Sequence, residues 1–191
     1  MPSNLKAIDT EYRGRLFRSR TEARWAIFFD EVGLDWEYEP EGFELPSGAR
    51  YLPDFKLMRK HGGHAWVEVK PRTTKADPKF AEFEEHVGWN AKLVSGTPLE
   101  FIEDGGRLCP RCGIPEMVGP YGESVYCGPC DMETPGGGDN PLQFDGITPI
   151  PYIPHKGCIE LTSFWEPAFR SHLHRLAERA QKARFEHGAR P

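Results

Sequence analysis

The chain has 191 residues and a mass of 21.7 kDa, of which 38% are hydrophobic and 28% charged; this suits one full domain with a small appendage. Its 24 basic and 29 acidic residues leave a formal charge of −5 and a pI near 5.8, which argues against coating nucleic acid through bulk charge. No stretch approaches the roughly 20 apolar residues of a membrane span, and Lys6, Asp9 and Glu11 stand where an export signal would need an apolar core, so a soluble cytoplasmic protein with no membrane partner is expected.

The mean charge hides segregation. Residues 11–24 hold five arginines against two glutamates, and residues 30–44 hold seven acids and no base. Residues 50–79 hold eight bases against three acids, and the tail from Trp165 onward six against three. Charge runs commonly mark solvated faces. Here they would also allow a basic groove on one side and an acidic surface on the other.

Along the chain, Ser19-Arg-Thr-Glu22 has the spacing of a capping box. Trp25, Ala26, Phe28, Phe29 and Val32 follow at helical spacing, and Gly33 stops the run, which predicts a helix over about 20–32. Trp36 to Phe43 alternates weakly, as an edge strand would. Arg50 to Met58 reads as a strand entered through Pro53, and His61-Gly-Gly-His64 supplies a turn. Ala65 to Lys70 alternates cleanly, with Ala65, Val67 and Val69 on one face and Trp66, Glu68 and Lys70 on the other. Pro78 to Val87 is predicted helical through Phe80, Phe83 and Val87. Lys92–Ser95 and Leu99–Ile102 are predicted as short strands, so a mixed α/β domain ends near Asp104. Residues 105–132 hold two cysteine pairs, 133–162 form a Gly/Pro-rich connector, and an amphipathic helix runs from Phe164 to Glu186 within the C-terminal segment 163–191.

The strongest chemical signal is Pro53-Asp54 followed by Glu68-Val69-Lys70 across the predicted hairpin. Glu68 and Lys70 are two apart on one strand and therefore point the same way. Charged residues on a strand flanked by valines are expensive to bury without purpose. Two converging carboxylates suit a hard divalent cation such as Mg²⁺, which can polarise a phosphoryl oxygen and lower the pKa of a bound water. Lys70 alongside would position the attacking water and stabilise charge on the phosphate. Register sets a condition. Pairing Asp54 with Glu68 centres the turn on His61, whereas a two-residue turn at Gly62-Gly63 would pair Glu68 with Leu57 and send Asp54 to the opposite face. Taken singly, each motif also has a plain reading, as a turn aspartate or a cross-strand ion pair. Glu22 is likewise explained by its capping box alone.

Pro-Asp, then Glu-Val-Lys, preceded by Glu22 within Phe17-Arg-Ser-Arg-Thr-Glu-Ala-Arg24, resembles the PD-(D/E)XK nuclease superfamily. The nearest likeness is to its phage endonuclease I and transposon-end branch, over residues 12–104. The resemblance implies a restriction-endonuclease-like mixed sheet flanked by helices, and a nuclease core at 1–104. It implies Mg²⁺ or Mn²⁺ on Asp54, Glu68 and the Val69 carbonyl, with Glu22 as a supporting or second-metal carboxylate and Lys70 as the catalytic lysine. The implied activity is hydrolysis of duplex or branched DNA, in a bacterial or phage-infected cytoplasm, and two opposed cuts would need a homodimer. Arg18, Arg20 and Arg72 flank these elements and are candidate phosphate contacts. The alternative is a non-catalytic nucleic-acid-binding protein with a nuclease-like core.

Cys109-Pro-Arg-Cys112 and Cys127-Gly-Pro-Cys130, 14 residues apart, fit one structural Zn²⁺ held by four thiolates in a ribbon. Gly113 and Gly128 would permit the tight turns such knuckles need. A redox role for Cys127-Gly-Pro-Cys130 would need a following helix, and Asp131-Met-Glu-Thr-Pro-Gly-Gly-Gly does not form one. Cys158 stands outside both pairs. The terminal helix suits docking onto the core or a second subunit, with a DNA-tracking arm as the other reading.

Overall fold

The computed structural model describes residues 9–59, 63–72, 77–109, 113–116, 125–127, 132–134 and 167–185. The first element, which the sequence had announced only as basic charge, is a hairpin. β1 (Thr10–Tyr12) pairs antiparallel with β2 (Arg15–Phe17) around Arg13 and Gly14, both at positive φ. Tyr12 Oη and Arg13 Nη1 each donate to Asp30 at 2.8 Å, and Trp36 Nε1 donates to the same carboxylate at 3.0 Å. One aspartate therefore ties the hairpin to the helix that follows.

That helix, α1 (Arg20–Glu31), begins where its capping residue predicts: Ser19 Oγ accepts from the Glu22 amide at 3.2 Å. It buries Ala23, Trp25, Ala26, Phe28 and Phe29, the apolar stripe of the sequence. Next come β3 (Trp36–Tyr38), the short ribbon β4 (Phe43–Glu44) and β5 (Arg50–Tyr51), then β6 (Phe55–Met58) and β7 (His64–Lys70). The crossover helix α2 (Pro78–Val87) and a 3₁₀ turn lead to β8 (Ala91–Ser95). The main sheet has the order β3-β6-β7-β8, antiparallel except for the parallel β7–β8 pair that the crossover makes possible.

β7 is the sheet's hub and is covered on both faces. Ala65, Val67 and Val69 join Phe55, Leu57 and the α1 aromatics in the main core, while Trp66 packs with Tyr51, Phe80 and Phe83 beneath α2. The alternation read from the sequence is therefore the alternation of the fold.

Three segments differ from expectation. The strand expected over 50–58 is broken at residues 52–54: β5 pairs with β4, and the main-sheet strand starts afresh at Phe55. Pro53 brings no amide donor to a ladder, which favours a break there. Of Trp36–Phe43, only 36–38 forms the sheet's edge, because Glu39 turns away at φ 44. Leu99–Ile102 lies within a helix, α3 (Pro98–Glu103), rather than a strand. Thr97 and Glu100 make a complete capping box and Pro98 occupies the first turn, so local capping outweighs the short apolar run.

The terminal helix α4 (Pro167–Lys182) packs against α1 and α3. Leu173, Leu176, Ala177 and Ala180 enter the main core, and Arg179 pairs with Glu31 at 3.1 Å. β9 (Arg107–Leu108) pairs with β10 (Pro115–Glu116), and β11 (Val125–Cys127) with β12 (Met132–Thr134). Cys109 is buried at the start of a tight turn in which the Gly113 amide donates to its carbonyl at 2.7 Å, with Gly113 at φ 78. Cys127 ends β11; Cys112, Cys130 and Cys158 lie outside the described residues. Among the described residues, no helix is long and apolar enough to cross a membrane.

Docking of α4 through its apolar stripe has a direct test. Leu176→Ala should lower stability by about 2–4 kcal/mol, measured by urea unfolding. A change below about 0.5 kcal/mol would mean that the helix is not part of the core.

Candidate active site

Phe55 pairs with Val67, Lys56 with Trp66, Leu57 with Ala65 and Met58 with His64. The loop closes with the Arg59 amide donating to Gly63 O at 3.1 Å. Every pair is centred on residue 61. Continued by one position, this register sets Asp54 opposite Glu68, and the alternation of β6 places Asp54 on the Trp66 face, with Glu68 and Lys70. The condition derived from the sequence is met.

Both carboxylates are buried, Asp54 at 3% and Glu68 at 5% exposure. Asp54 Oδ2 accepts from the Val69 amide at 2.7 Å, and Oδ1 accepts from Arg18 Nη2 at 2.6 Å. In a strand, the amide and carbonyl of one residue point to the same side, so the Val69 carbonyl is directed toward the space beside Asp54. Lys70 Nζ bonds Glu68 Oε1 and stands 3.7 Å from Asp77 Oδ2, at the start of α2. Burial lowers the Lys70 pKa, but the hydrogen bond and charge of Glu68 outweigh it and leave the ammonium firmly protonated.

Glu22 reaches the same end of the sheet from α1. Its role differs from the simple capping box: Ser19 Oγ donates to Oε1 at 2.7 Å and Tyr38 Oη donates to Oε2 at 2.6 Å, while the side chain stays 8% exposed. Its charge helps to raise the pKa of Asp54. Burial, then the negative charge of Glu68, push Asp54 up to about 7 against the pull of the Val69 amide and Arg18.

Among the described residues, Glu68 Oε2 and Tyr51 Oη are both buried without a well-formed hydrogen bond, and what interaction the hydroxyl has is with Glu68. Burial and the Glu68 charge raise the phenol's pKa far above its ordinary value, so the hydroxyl keeps its proton and faces the carboxylate. Tyr51 was not anticipated from sequence: it lies across the break at Pro53, where strand alternation carries no information. Its ring stacks on Phe83 at 4.6 Å, which holds the hydroxyl toward Glu68.

Counted together, five carboxylates (Glu22, Glu39, Asp54, Glu68 and Asp77) meet two cations, Arg18 and Lys70. A buried acid excess with an orphaned carboxylate oxygen fits a divalent cation through oxygen ligands. Asp54, Glu68 and the Val69 carbonyl are the groups directed at that place. Among the described residues, no three His, Cys, Asp or Glu side chains converge into a closed metal cluster, so Glu22 stands back from this pair.

Of the candidate phosphate contacts, Arg18 pairs with both Asp54 and Glu39, and Arg72 pairs with Asp104 at 2.7 Å and approaches Glu100 at 3.9 Å. Arg20 has no such partner among the described residues. No family model, no curated protein and no solved structure matches the chain.

The raised Asp54 pKa carries a signed consequence for the metal-free protein. Folded Asp54 holds its proton to about pH 7, while the unfolded carboxyl releases it near 3.8. Its contribution is therefore fully present below pH 3.8 and lost as pH rises through 7. Urea unfolding in chelator should show this loss, on the order of a few kcal/mol, and Asp54→Asn should flatten it. Tyr51→Phe, which removes a buried and unpartnered hydroxyl, should leave metal-free stability unchanged or raise it by about 1 kcal/mol. A clear loss would show that the hydroxyl has a structural partner.

Proposed function

We propose that the protein is a metal-dependent DNA endonuclease. The observation that carries this reading is that buried Asp54, one residue before β6, accepts from the Val69 amide at 2.7 Å, next to buried Glu68 and Lys70 on β7, in a hairpin centred on residue 61. The mixed sheet flanked by helices is also of the kind the resemblance implies.

Asp54, Glu68 and the Val69 carbonyl would hold Mg²⁺ or Mn²⁺. Such an ion supplies polarisation of a phosphoryl oxygen and a water acidic enough to attack near neutral pH. Burial of the two carboxylates keeps competing water away from their oxygens and strengthens every charge interaction between them. The orphaned Glu68 Oε2 is available as a ligand without breaking an existing hydrogen bond. Asp54 would give up its proton, so loading is favoured as pH rises through about 7.

Lys70 is protonated and sits at the rim, held by Glu68 and near Asp77. From there its ammonium meets the negative charge that builds on a phosphate and orients the incoming water. Glu22, gripped by Ser19 and Tyr38, keeps negative potential on the far side of Asp54 and supports it. These groups would supply the parts that hydrolysis of a phosphodiester needs.

A structural Zn²⁺ on Cys109, Cys112, Cys127 and Cys130 is part of the proposal. The buried Cys109 and the glycine turn that follows it support this. Four thiolates would fill the tetrahedron and leave no open position for catalysis.

The test is incubation of supercoiled, linear and branched DNA with Mg²⁺ or Mn²⁺. Asp54→Asn and Lys70→Ala should each lose at least about 100-fold in cleavage rate while keeping a native circular-dichroism spectrum. Cleavage unchanged in both variants, or no cleavage of any substrate by the wild type, would discard the reading. In the second case a nucleic-acid-binding protein with a retired nuclease-like core would be the better description. Metal analysis should find zinc near one per chain; zinc-free protein with native stability would remove the ribbon.

A further inference from the structure

The arginines around the open end of the sheet are not equivalent. Arg18 and Arg72 are each engaged by two carboxylates. Arg20 and Arg24 lie one turn apart on α1, so their guanidinium groups share a face. The Nε atoms of both are buried and have no hydrogen-bond partner. Among the described residues neither arginine forms an ion pair. Like charges at this spacing repel, and burial followed by the charge of Arg20 lowers the Arg24 pKa.

Among the described residues, the acid that acts on Arg24 is Glu100, and it is committed elsewhere. Its Oε2 accepts from the Thr97 amide at 2.7 Å, as part of the α3 cap, and its Oε1 faces Arg72 at 3.9 Å. Among the described residues, then, no acid balances this half-buried double positive charge.

Its position is tied to the end of β7. Trp25, the neighbour of Arg24, donates its indole N–H to Gly96 O at 2.9 Å, and the Gly96 amide donates to Lys70 O at 2.8 Å. Gly96 sits at φ 76, and a Cβ there would lie 2.7 Å from Glu100 Oε2 and 2.9 Å from Arg72 Cγ. One glycine therefore connects the arginine-bearing turn of α1 to the backbone of the lysine in the candidate site.

We propose that Arg20 and Arg24 form an anion subsite that takes a backbone phosphate of a nucleic acid, beside the one being hydrolysed. With Nε buried, each guanidinium would turn its Nη donors to the phosphate oxygens. Two such groups on one face suit a tetrahedral oxyanion better than a planar carboxylate. The identity of the phosphate's owner rests on the nuclease reading, whereas the presence of an anion site does not.

The experiment has two arms. In the first, sulfate should raise the melting temperature of the wild type and not that of the Arg20→Gln/Arg24→Gln double variant. In the second, anisotropy titrations of a short labelled duplex are run in Ca²⁺ between about 50 and 200 mM salt. The double variant should bind roughly 10- to 100-fold more weakly, with the slope of log K against log salt reduced by about 1 to 2. Arg179→Gln, on α4 and paired with Glu31, should behave as wild type. A melting temperature in low salt no lower than that of the wild type establishes that the double variant is folded.

Equal affinity and equal slope for wild type and double variant would overturn the subsite, as would a wild type that responds to neither sulfate nor duplex. Arginine-dependent binding without Mg²⁺-dependent cleavage would keep the subsite and remove the hydrolytic reading. Cleavage with arginine-independent binding would do the reverse.

Discussion

The pairing of β6 with β7 about residue 61 decides what meets at the open end of the sheet. Side chains alternate along a strand, so a slip of one residue would exchange the two faces of β7. Glu68 would then point into the aromatic core beneath α1, and Val67 and Val69 would leave it. Burying an unpaired carboxylate among Phe28, Phe29 and Phe55 costs several kcal/mol at least, by the order-of-magnitude penalty for such transfers. The hydrophobic cover on both faces therefore enforces the register, and the register brings the carboxylates together. Lys56 over Trp66, at 5.0 Å, is a further product of the same alignment.

That alignment places charge where water is scarce. Asp54 and Glu68 are each almost fully buried, and among the described residues only Arg18 and Lys70 oppose the acids around them. The structure tolerates this because the strand carrying Glu68 also carries Ala65, Trp66, Val67 and Val69, all buried. Each large apolar side chain contributes about 1.5–3 kcal/mol, which offsets one or two unpartnered polar atoms at about 1–3 kcal/mol each. Local inconsistency surrounded by a well-satisfied core is the pattern expected of a functional site. The same logic applies to Arg20 and Arg24 on the neighbouring helix.

Much of this was legible in the residues. Ser19-Arg-Thr-Glu22 marked the start of α1, the alternation of Ala65 to Lys70 the two faces of β7, and Phe80 with Phe83 the buried face of α2. These signals are local: a cap, an alternation, a period of 3.6. Thr97-Pro-Leu-Glu100 was equally local and marks α3, but the apolar Leu99, Phe101 and Ile102 read as a strand when taken without their cap. The β1–β2 hairpin had no such marker beyond Gly14. It is tied down by Asp30, which lies 17 residues beyond Arg13 and collects three donors, two from the hairpin and one from β3.

By itself the sequence determined the alternation of β7, the helical stripes, and the candidacy of Asp54, Glu68 and Lys70, because these follow from spacing along one chain. It also supplied the condition that the hairpin turn must centre on residue 61. Only the tertiary structure decided that the condition is met and that Tyr51 joins the pair. It alone drew Glu22 into the grip of Tyr38, took up Arg18 and Arg72 on acids, and left Arg20 and Arg24 without any among the described residues. These outcomes depend on which side chains from distant segments arrive at the same place with room for a hydrogen bond. The net charge of −5 lies on the sequence side of that division: it is a sum over residues, whereas the potential at a site is set by distance and burial.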